Sequence, residues 1–193
     1  MASTDKRKRI ISAAERLFSS RRYHEVTLDE VARRADVAKG TIYLYFQDKE
    51  DLFVQVARAG FEEMCGVVQS HCPEDGAFAD RLTAVCRAFA AFQQRRRPVW
   101  RMVQAEERRS MFRRSRLREM WQEGREHLLR ILEDLFRRGA ARGEIRSDVA
   151  PEALAVYLLA LLRGRARMGT TLSEKDRSVD ALVHIFLNGI RRG

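Results

Sequence analysis

The sequence predicts an all-α fold. Only 3 prolines and 11 glycines interrupt the 193 residues, so long helices are expected. No alternating β-branched run bounded by turn residues occurs, which argues against strands. Apolar residues instead recur at intervals of three and four, as they do in helices that bury one face. With 45% hydrophobic and 33% charged residues, the chain is expected to be globular with well-solvated helices.

The first two helices are predicted from apolar spacing and a capping pattern. In the first helix, Ile10, Ala14 and Leu17 fall on one face. Thr27 opens a second, short helix, because Thr27 and Glu30 form the S/T-x-x-E capping box, in which each side chain satisfies the free backbone N–H of the other residue. We therefore expect a helix, a break and a second helix over the first 35 residues.

A third, short helix is predicted over residues 38–46. Its apolar phase differs from that of the second helix, and it places Ile42 and Phe46 inward. Asp36 and Val37 form a tight break between the two helices. Two short helices joined by a three- or four-residue turn are the helix-turn-helix pattern. We therefore expect residues 1–48 to form a three-helix helix-turn-helix domain.

Six further helices are predicted to form a helical bundle over residues 49–193. Asp48 is a suitable N-cap for the fourth helix, Pro98 suits the first turn of the sixth, and Gly139 is a typical stop for the seventh. The predicted helices cover residues 48–70, 78–94, a segment from 98, 117–138, 150–162 and a segment from 173. About nine helices are expected in total.

The exposed positions of the helix-turn-helix carry residue types suited to DNA. Lys39 can reach a guanine edge or a phosphate, and hydroxyl groups commonly position proteins on phosphate oxygens. Gly40 inside a helix costs about 1 kcal/mol relative to alanine, which close approach of the backbone to DNA would explain. The predicted DNA-binding residues are Thr27, Lys39, Gly40, Thr41, Tyr43, Tyr45 and Lys49. A purely structural helical hairpin is the alternative, with Tyr43 and Tyr45 as packing residues.

A resemblance to the DNA-binding domain of the TetR family of transcriptional regulators is carried by the segment TLDEVARRADVAKGTIYLYFQDKEDLF, preceded by RIISAAERLFSSRRYHEVT. The resemblance implies DNA contacts by the residues named above other than Gly40. It also implies a C-terminal domain with a small-molecule pocket, and a homodimer formed by the last two helices. Two positions depart from the family pattern: Ala38 stands where Ser often caps the recognition helix, and Tyr45 stands where His is common.

Two groups of residues in the second domain are candidates for binding. Residues 150–162 are apolar nearly all round and the last helix has a wide apolar stripe, so both are expected to pack against a second copy. The predicted dimerisation residues are Leu158, Leu161, Leu162, Val183 and Phe186. The predicted ligand-binding residues are Phe89, Phe92, Trp100, Arg101, Val103, Gln104, Trp121 and Tyr157. A simple core role is the alternative for this second set, because helical spacing does not separate core from pocket.

The net charge of +10 lies mostly outside the helix-turn-helix. Residues 1–50 hold 11 Lys and Arg against 8 Asp and Glu, a net of +3, whereas residues 95–118 hold 10 Arg against two Glu, a net of +8. Three interpretations of this Arg-rich stretch stay open: a solvated helix face, an entrance that attracts an anionic ligand such as an acyl-coenzyme A, and an accessory DNA contact. A small-molecule effector, anionic in the second interpretation, is an expected partner.

Signatures of catalysis, metal binding or cofactor binding are not apparent. The four histidines and three cysteines are scattered, and there is no nucleophile elbow or phosphate-cradling glycine loop. The longest apolar run, residues 153–162, is about half of what a membrane span needs. The basic N-terminus lacks the apolar stretch of a signal peptide. We therefore expect a cytoplasmic protein that is not an enzyme and has no cofactor, metal or membrane partner.

The expected function is that of a sequence-specific DNA-binding transcriptional regulator, a repressor released from a near-palindromic operator by a small-molecule ligand. One short helix reads few bases, so two copies about 34–36 Å apart are needed for specificity. A ligand in the second domain would move the fourth helix and change this spacing. The rival classes are an enzyme with an incidental helix-turn-helix, and an architectural DNA-binding protein, which would show little sequence preference.

Overall fold

Eight α-helices make up most of the described part of the chain in a computed structural model, and no strand occurs there. The structure describes residues 2–72, 75–95, 115–167 and 173–190. The helices are α1 (Ala2–Ser20), α2 (Leu28–Ala35), α3 (Lys39–Tyr43), α4 (Lys49–Ser70), α5 (Phe78–Arg95), α6 (Ser115–Ala141), α7 (Pro151–Arg167) and α8 (Val179–Ile190). The all-α prediction is confirmed. The helix predicted from Pro98, and most of the Arg-rich stretch, lie outside the described residues.

The described residues divide into two compact units, and the first contains the residues up to Glu62 together with residues 115–124. Within it α1 packs on α2, and α2 on α3. The rings of Phe18 and Tyr23 stack with centroids 5.8 Å apart, and Phe53 meets them edge-on at 5.1 and 5.0 Å. Phe53 lies in α4, so the first unit extends past the predicted boundary at residue 48, because α4 completes its core.

The second unit contains residues 63–95 and the described residues from Arg125 onwards, with α5 packed against α7 and α8. The ring of Phe136 lies 5.9 Å from that of Phe78 and 5.8 Å from that of Phe186. Arg81 of α5 is fully buried, pairs with Glu144, and lies 5.5 Å from the Phe78 ring. This ion pair explains how a core position accommodates a charge.

Gly139 lies inside α6, so the predicted helix stop at this residue is wrong. A Cβ atom on Gly139 would stand 2.7 Å from the Phe78 ring, and glycine is therefore needed there for close packing. The helix continues to Ala141 and is followed by Gly143, whose φ of 69° lies in the left-handed region that glycine adopts freely. The Glu144 N–H then donates to the Gly139 carbonyl at 3.0 Å and closes the final turn.

The last helix begins later than predicted. Ser173 opens a turn, in which its hydroxyl accepts a hydrogen bond from the Asp176 N–H at 3.1 Å, and α8 starts only at Val179. Ser173 therefore begins this turn and not the helix. Among the residues that the structure describes, none of the helices combines the length and the apolar character needed to span a membrane.

Candidate nucleic-acid interface

The start of α2 is fixed by a capping box and an ion pair. The Thr27 hydroxyl accepts from the Glu30 N–H at 3.3 Å and the Glu30 carboxylate accepts from the Thr27 N–H at 3.1 Å, so the predicted capping box is confirmed. Arg21 donates to the same carboxylate at 2.7 Å. Arg21, and then the Thr27 N–H, lower the pKa of Glu30 from 4.5 to about 2. Glu30 is therefore charged at neutral pH and holds Thr27 at an exposed helix end.

The turn between α2 and α3 passes through a left-handed residue, Asp36, with φ 52° and ψ 57°. Aspartate adopts this conformation more readily than most side chains do. The following N–H, that of Val37, donates to the Ala32 carbonyl at 3.0 Å and closes the end of α2. Arg9 of α1 pairs with the Asp36 carboxylate at 2.8 Å. The turn therefore sets the direction of α3 and ties it to α1.

One side of α3 is buried and the opposite side is open. Ile42 is 0% exposed and Phe46, just beyond the helix, is 2% exposed, so both inward predictions are confirmed. At about 100° per residue, Gly40 and Leu44 lie nearly opposite Ile42. Leu44 is 80% exposed. The flanks between the two sides carry Lys39 and Tyr43 on one side, and Thr41 and Tyr45 on the other.

The sequence-based set of DNA-binding residues omits Leu44. Its residue type alone suggests a core position, but the structure leaves Leu44 80% exposed. The signal that could have identified it is its phase. Leu44 lies two residues after the inward Ile42 and four residues after Gly40, which places it on the outer side of α3.

Gly40 has no packing role among the described residues. It is exposed, and a Cβ atom built on it would meet no atom within 4 Å. The helical cost of glycine, about 1 kcal/mol relative to alanine, is therefore not offset by a close contact in the protein. Close approach to a molecule outside the chain remains the explanation offered by the sequence.

The two lysines predicted to contact DNA have partners within the first unit. Lys39 Nζ lies 2.9 Å from the Asp29 carboxylate, and this hydrogen-bonded pair raises the pKa of Lys39. Lys49 Nζ donates to the Val26 carbonyl at 3.0 Å and lies 4.5 Å from the centre of the Tyr23 ring. The Lys39 pair is exposed and can exchange with an external anion, whereas Lys49 is half-buried and holds the start of α4.

Family comparisons match both parts of the chain. Residues 10–56 match the family of bacterial regulatory proteins named tetR, and residues 72–186 match the tetracyclin repressor-like C-terminal domain. The chain belongs to the TetR family. The family prediction is thus confirmed, and the chain is assigned to the DNA-binding regulators of transcription. The helix-turn-helix lies within the matched residues 10–56.

The relatives and solved structures that resemble this chain match from about a third of it to all of it. An uncharacterized HTH-type regulator of Bacillus subtilis, YhgD, is 42% identical over 62 residues, which span about a third of that relative and 32% of this chain. An HTH-type transcriptional repressor of Mycobacterium tuberculosis is 26% identical over 97% of this chain and 94% of its own. A TetR-family regulator from Mesorhizobium loti has a TM-score of 0.82 at 25% identity, with 100% of both chains covered. The regulator FadR from Bacillus subtilis, solved with stearoyl-CoA, has a TM-score of 0.71 at 23% identity, covering 94% of this chain and 95% of its own.

The predicted ligand-binding residues of this TetR-family chain fall in both units. Phe89 and Phe92 are buried in the second unit, whereas Trp121 is buried in the first, where its ring meets that of Phe61 edge-on at 4.8 Å. Tyr157 is 60% exposed on α7, so its side chain lies at the surface and not in the interior of the second unit. Four further candidates fall outside the described residues: Trp100, Arg101, Val103 and Gln104.

Two polar side chains of the second unit, Gln93 and Arg165, lack partners that buried groups normally have. Gln93 is 7% exposed, yet neither its amide nitrogen nor its amide oxygen has a hydrogen-bond partner among the described residues. Arg165 is half-buried, and burial lowers its pKa; it donates to the Arg177 carbonyl at 2.9 Å and forms no ion pair with a described carboxylate. Sequence spacing marks neither residue. A buried group without partners costs about 1–3 kcal/mol, so the Gln93 amide is a place to look for a ligand, and Arg165 is a cation in the same unit.

Four of the five predicted dimerisation residues are buried inside the protomer, which corrects that prediction. Leu158, Leu162, Val183 and Phe186 are 0, 1, 4 and 7% exposed. The sequence does not show which side of α7 faces inward, because this helix is apolar nearly all round. The outer apolar residues of α7 and α8 are Val156, Tyr157, Leu161 and Ile185, at 46, 60, 45 and 68% exposure.

Proposed function

We propose that this protein is a repressor that binds a near-palindromic operator as a homodimer and leaves it when a small molecule occupies the second unit. The observation that carries the proposal is the open side of α3. This side carries a glycine, and its two flanks carry hydroxyl groups and a lysine, on the second helix of a helix-turn-helix. These are the groups that position a protein on phosphate oxygens and base edges.

The proposed DNA contacts retain most of the residues predicted from the sequence. They are Thr27, Lys39, Gly40, Thr41, Tyr43 and Tyr45. Lys39 would exchange its exposed partner Asp29 for a guanine edge or a phosphate, since neither side chain is buried. Lys49 would act indirectly, because its ammonium group already binds the Val26 carbonyl and the Tyr23 ring, and so positions the start of α4.

The proposed homodimer uses the outer apolar residues of α7 and α8. Val156, Tyr157 and Leu161 recur on one side of α7 at spacings of one, four and five residues, and the most exposed of the four is Ile185 of α8 at 68%. Apolar side chains clustered on exposed helix faces are typical of protein–protein contacts. Two-fold dimers are the commonest soluble oligomers, and a dimer also supplies two recognition helices.

The proposed effector is an anionic amphiphile such as an acyl-coenzyme A. Phe89 and Phe92 are buried apolar residues of α5, and the Gln93 amide has no hydrogen-bond partner among the described residues. Arg165 is a half-buried cation without a described carboxylate partner. Ligand sites are mainly apolar with a few polar groups that fix orientation. FadR, which has a similar fold, was solved with stearoyl-CoA, and this supports the choice of thioesters as the first ligands to test.

Coupling between ligand and DNA is proposed to run through α4. This helix extends from the first unit, where Phe53 packs against Phe18 and Tyr23, into the second. A ligand that displaced it would change the separation of the two recognition helices in the dimer. Such coupling is reciprocal, so DNA must weaken ligand binding by the same factor by which ligand weakens DNA binding.

The DNA-binding part of the proposal is tested by comparing the DNA upstream of the protein's own gene with random duplexes at one stated salt concentration. A regulator should prefer its operator by roughly 10³-fold or more. Tyr43→Ala should weaken binding to both kinds of DNA to a similar degree if Tyr43 contacts phosphate. Equal affinity for operator and random DNA would contradict the proposal and favour an architectural protein.

The ligand part is tested by calorimetric titration of acyl-coenzyme A thioesters into free and operator-bound protein. We expect tighter binding to the free protein, and roughly tenfold or greater weakening by Arg165→Gln, which removes a charged hydrogen-bond donor. Arg137→Gln is the matched control, because Arg137 is an exposed arginine of the second unit that pairs with Glu133 one turn away. Equal affinity in the two states, or no heat with any thioester, would rule out this effector class.

A further inference from the structure

The open side of α3 ends in an apolar side chain. Leu44 follows the helix directly and keeps its backbone conformation, with φ −72° and ψ −23°. It lies nearly opposite the buried Ile42, and at 80% it has the greatest exposure of the large hydrophobic residues described. Leu44 therefore contributes little to the core of the first unit.

The surroundings of Leu44 distinguish it from an ordinary exposed leucine. Scattered apolar side chains are normal on protein surfaces. Gly40, one helical turn earlier on the same side, presents no side chain, and nothing lies within 4 Å of where its Cβ would be. Polar side chains occupy both flanks: Lys39 and Tyr43 on one, and Thr41 and Tyr45 on the other. Leu44 is thus a single apolar side chain on the outer side of α3, between two polar flanks.

We propose that Leu44 contacts the 5-methyl group of a thymine in the major groove and so determines part of the operator sequence. The inference rests on the proposed function, which places α3 against DNA. The thymine methyl is the apolar group that base pairs present in the major groove, where the other edge groups are hydrogen-bond donors and acceptors. Gly40 permits the close approach that this contact needs, while the flanks meet phosphates.

The experiment removes the methyl group from the DNA and the side chain from the protein. Duplexes that bind the full-length protein are selected from a random pool, and each thymine of the selected operator is replaced singly by uracil, which lacks only the methyl group. Affinities are measured by fluorescence anisotropy at one salt concentration. We expect the wild-type protein to lose about fourfold in affinity at one thymine of a half-site, the effect of one buried methyl group. Leu44→Ala should bind the thymine and uracil duplexes equally.

Two variants keep the result interpretable. Tyr43→Phe removes only a flanking hydroxyl, so it should weaken binding but preserve the discrimination between thymine and uracil. Leu44→Met stays apolar and should preserve part of that discrimination, and thermal melting by circular dichroism verifies that each variant is folded. The role of Leu44 would be overturned if the wild-type protein bound every uracil duplex as tightly as the thymine duplex. It would also be overturned if Leu44→Ala discriminated between them as well as the wild type does. Neither result would contradict the proposed function. A selection that enriches no sequence would overturn the proposed function and this inference together.

Discussion

Gly40 and Gly139 both lie inside helices, where glycine is less favourable than alanine by about 1 kcal/mol. A Cβ on Gly139 would collide with the Phe78 ring at 2.7 Å, whereas a Cβ on Gly40 would meet nothing within 4 Å. Gly139 is therefore explained by packing inside the second unit. Gly40 has no such explanation, and it lies on the surface proposed to approach DNA.

Gly40→Ala should separate folding from DNA binding. We expect the variant to be as stable as the wild type or more stable, by up to about 1 kcal/mol, because alanine favours the helix and has free space. Operator affinity should fall, because the added methyl group prevents close approach. Gly66→Ala is the matched control, since Gly66 is also an exposed helical glycine with nothing within 4 Å. Denaturant unfolding and operator titration measure both effects, and undiminished operator affinity for Gly40→Ala would refute the close approach.

Gly139→Ala should have the opposite effect on stability. Its new Cβ must displace the Phe78 ring, and overpacking of this kind costs about 1–3 kcal/mol, which exceeds the gain in helix propensity. Gly164→Ala in α7 is the control, because its Cβ has no neighbour within 4 Å. Urea unfolding of the two variants provides the comparison. Equal stability would mean that the ring moves aside without strain.

At the scale of the helix, α2 is stabilised at its start by the charge on Glu30. The pKa of Glu30 is about 2 in the folded protein, below its ordinary 4.5, chiefly because Arg21 donates to its carboxylate. A lowered pKa contributes stability above pH 4.5, and this contribution is lost as the pH falls from 4.5 towards 2. Glu30 therefore makes α2 sensitive to acid.

Glu30→Gln should reveal this acid sensitivity, since glutamine keeps the shape of the capping box but has no charge. We expect the wild type to be more stable than Glu30→Gln at about pH 6, and the difference to shrink at about pH 3. Denaturant unfolding at the two pH values measures the free energies of unfolding. A difference that is the same at both pH values would show that the charge on Glu30 does not stabilise the fold.

Local elements could be predicted from the sequence, and elements set by distant contacts could not. The capping box of Thr27 and Glu30 and the inward Ile42 depend on neighbours within four residues, and both predictions are confirmed. The prediction of a helix stop at Gly139 is wrong because glycine is needed there to make room for the ring of Phe78, which lies 61 residues away in the chain.

The same distinction explains the error on α7. Apolar residues at intervals of three and four identify the inner side of a helix only when its outer side is polar, and α7 offers no such contrast. The structure buries Leu158 and exposes Tyr157 because α5 and α8 cover one side of α7. That the Gln93 amide has no described hydrogen-bond partner could be found only from the positions of the residues around it.

At the scale of the whole molecule, the dimer prediction can be tested on α8. Ile185→Glu places a charge on a side chain that is 68% exposed, so the protomer should fold normally while the proposed dimer dissociates. Affinity for a full operator should then fall towards that for a half-site, because each monomer binds independently. Sedimentation velocity and operator titration are the measurements.

Phe186→Ala is the comparison variant, because the adjacent side chain is 7% exposed and packs against Phe136. It should lower the free energy of unfolding by about 3–5 kcal/mol, as truncation of a buried phenylalanine does. A dimeric Ile185→Glu protein with unchanged operator affinity would show that this face of α8 is not the interface.

The exposed pair between Lys39 and Asp29 also affects how such a protein would search a genome. On random DNA, each lysine that neutralises a phosphate releases counterions and prolongs the stay at a wrong site. A lysine already occupied by its own carboxylate adds less to this general attraction than a free one. Where the proposed contact of Lys39 is a base edge, the lysine would be released only at sites that present that edge. The carboxylate would then shorten the pauses at the many wrong sites and quicken arrival at the right one.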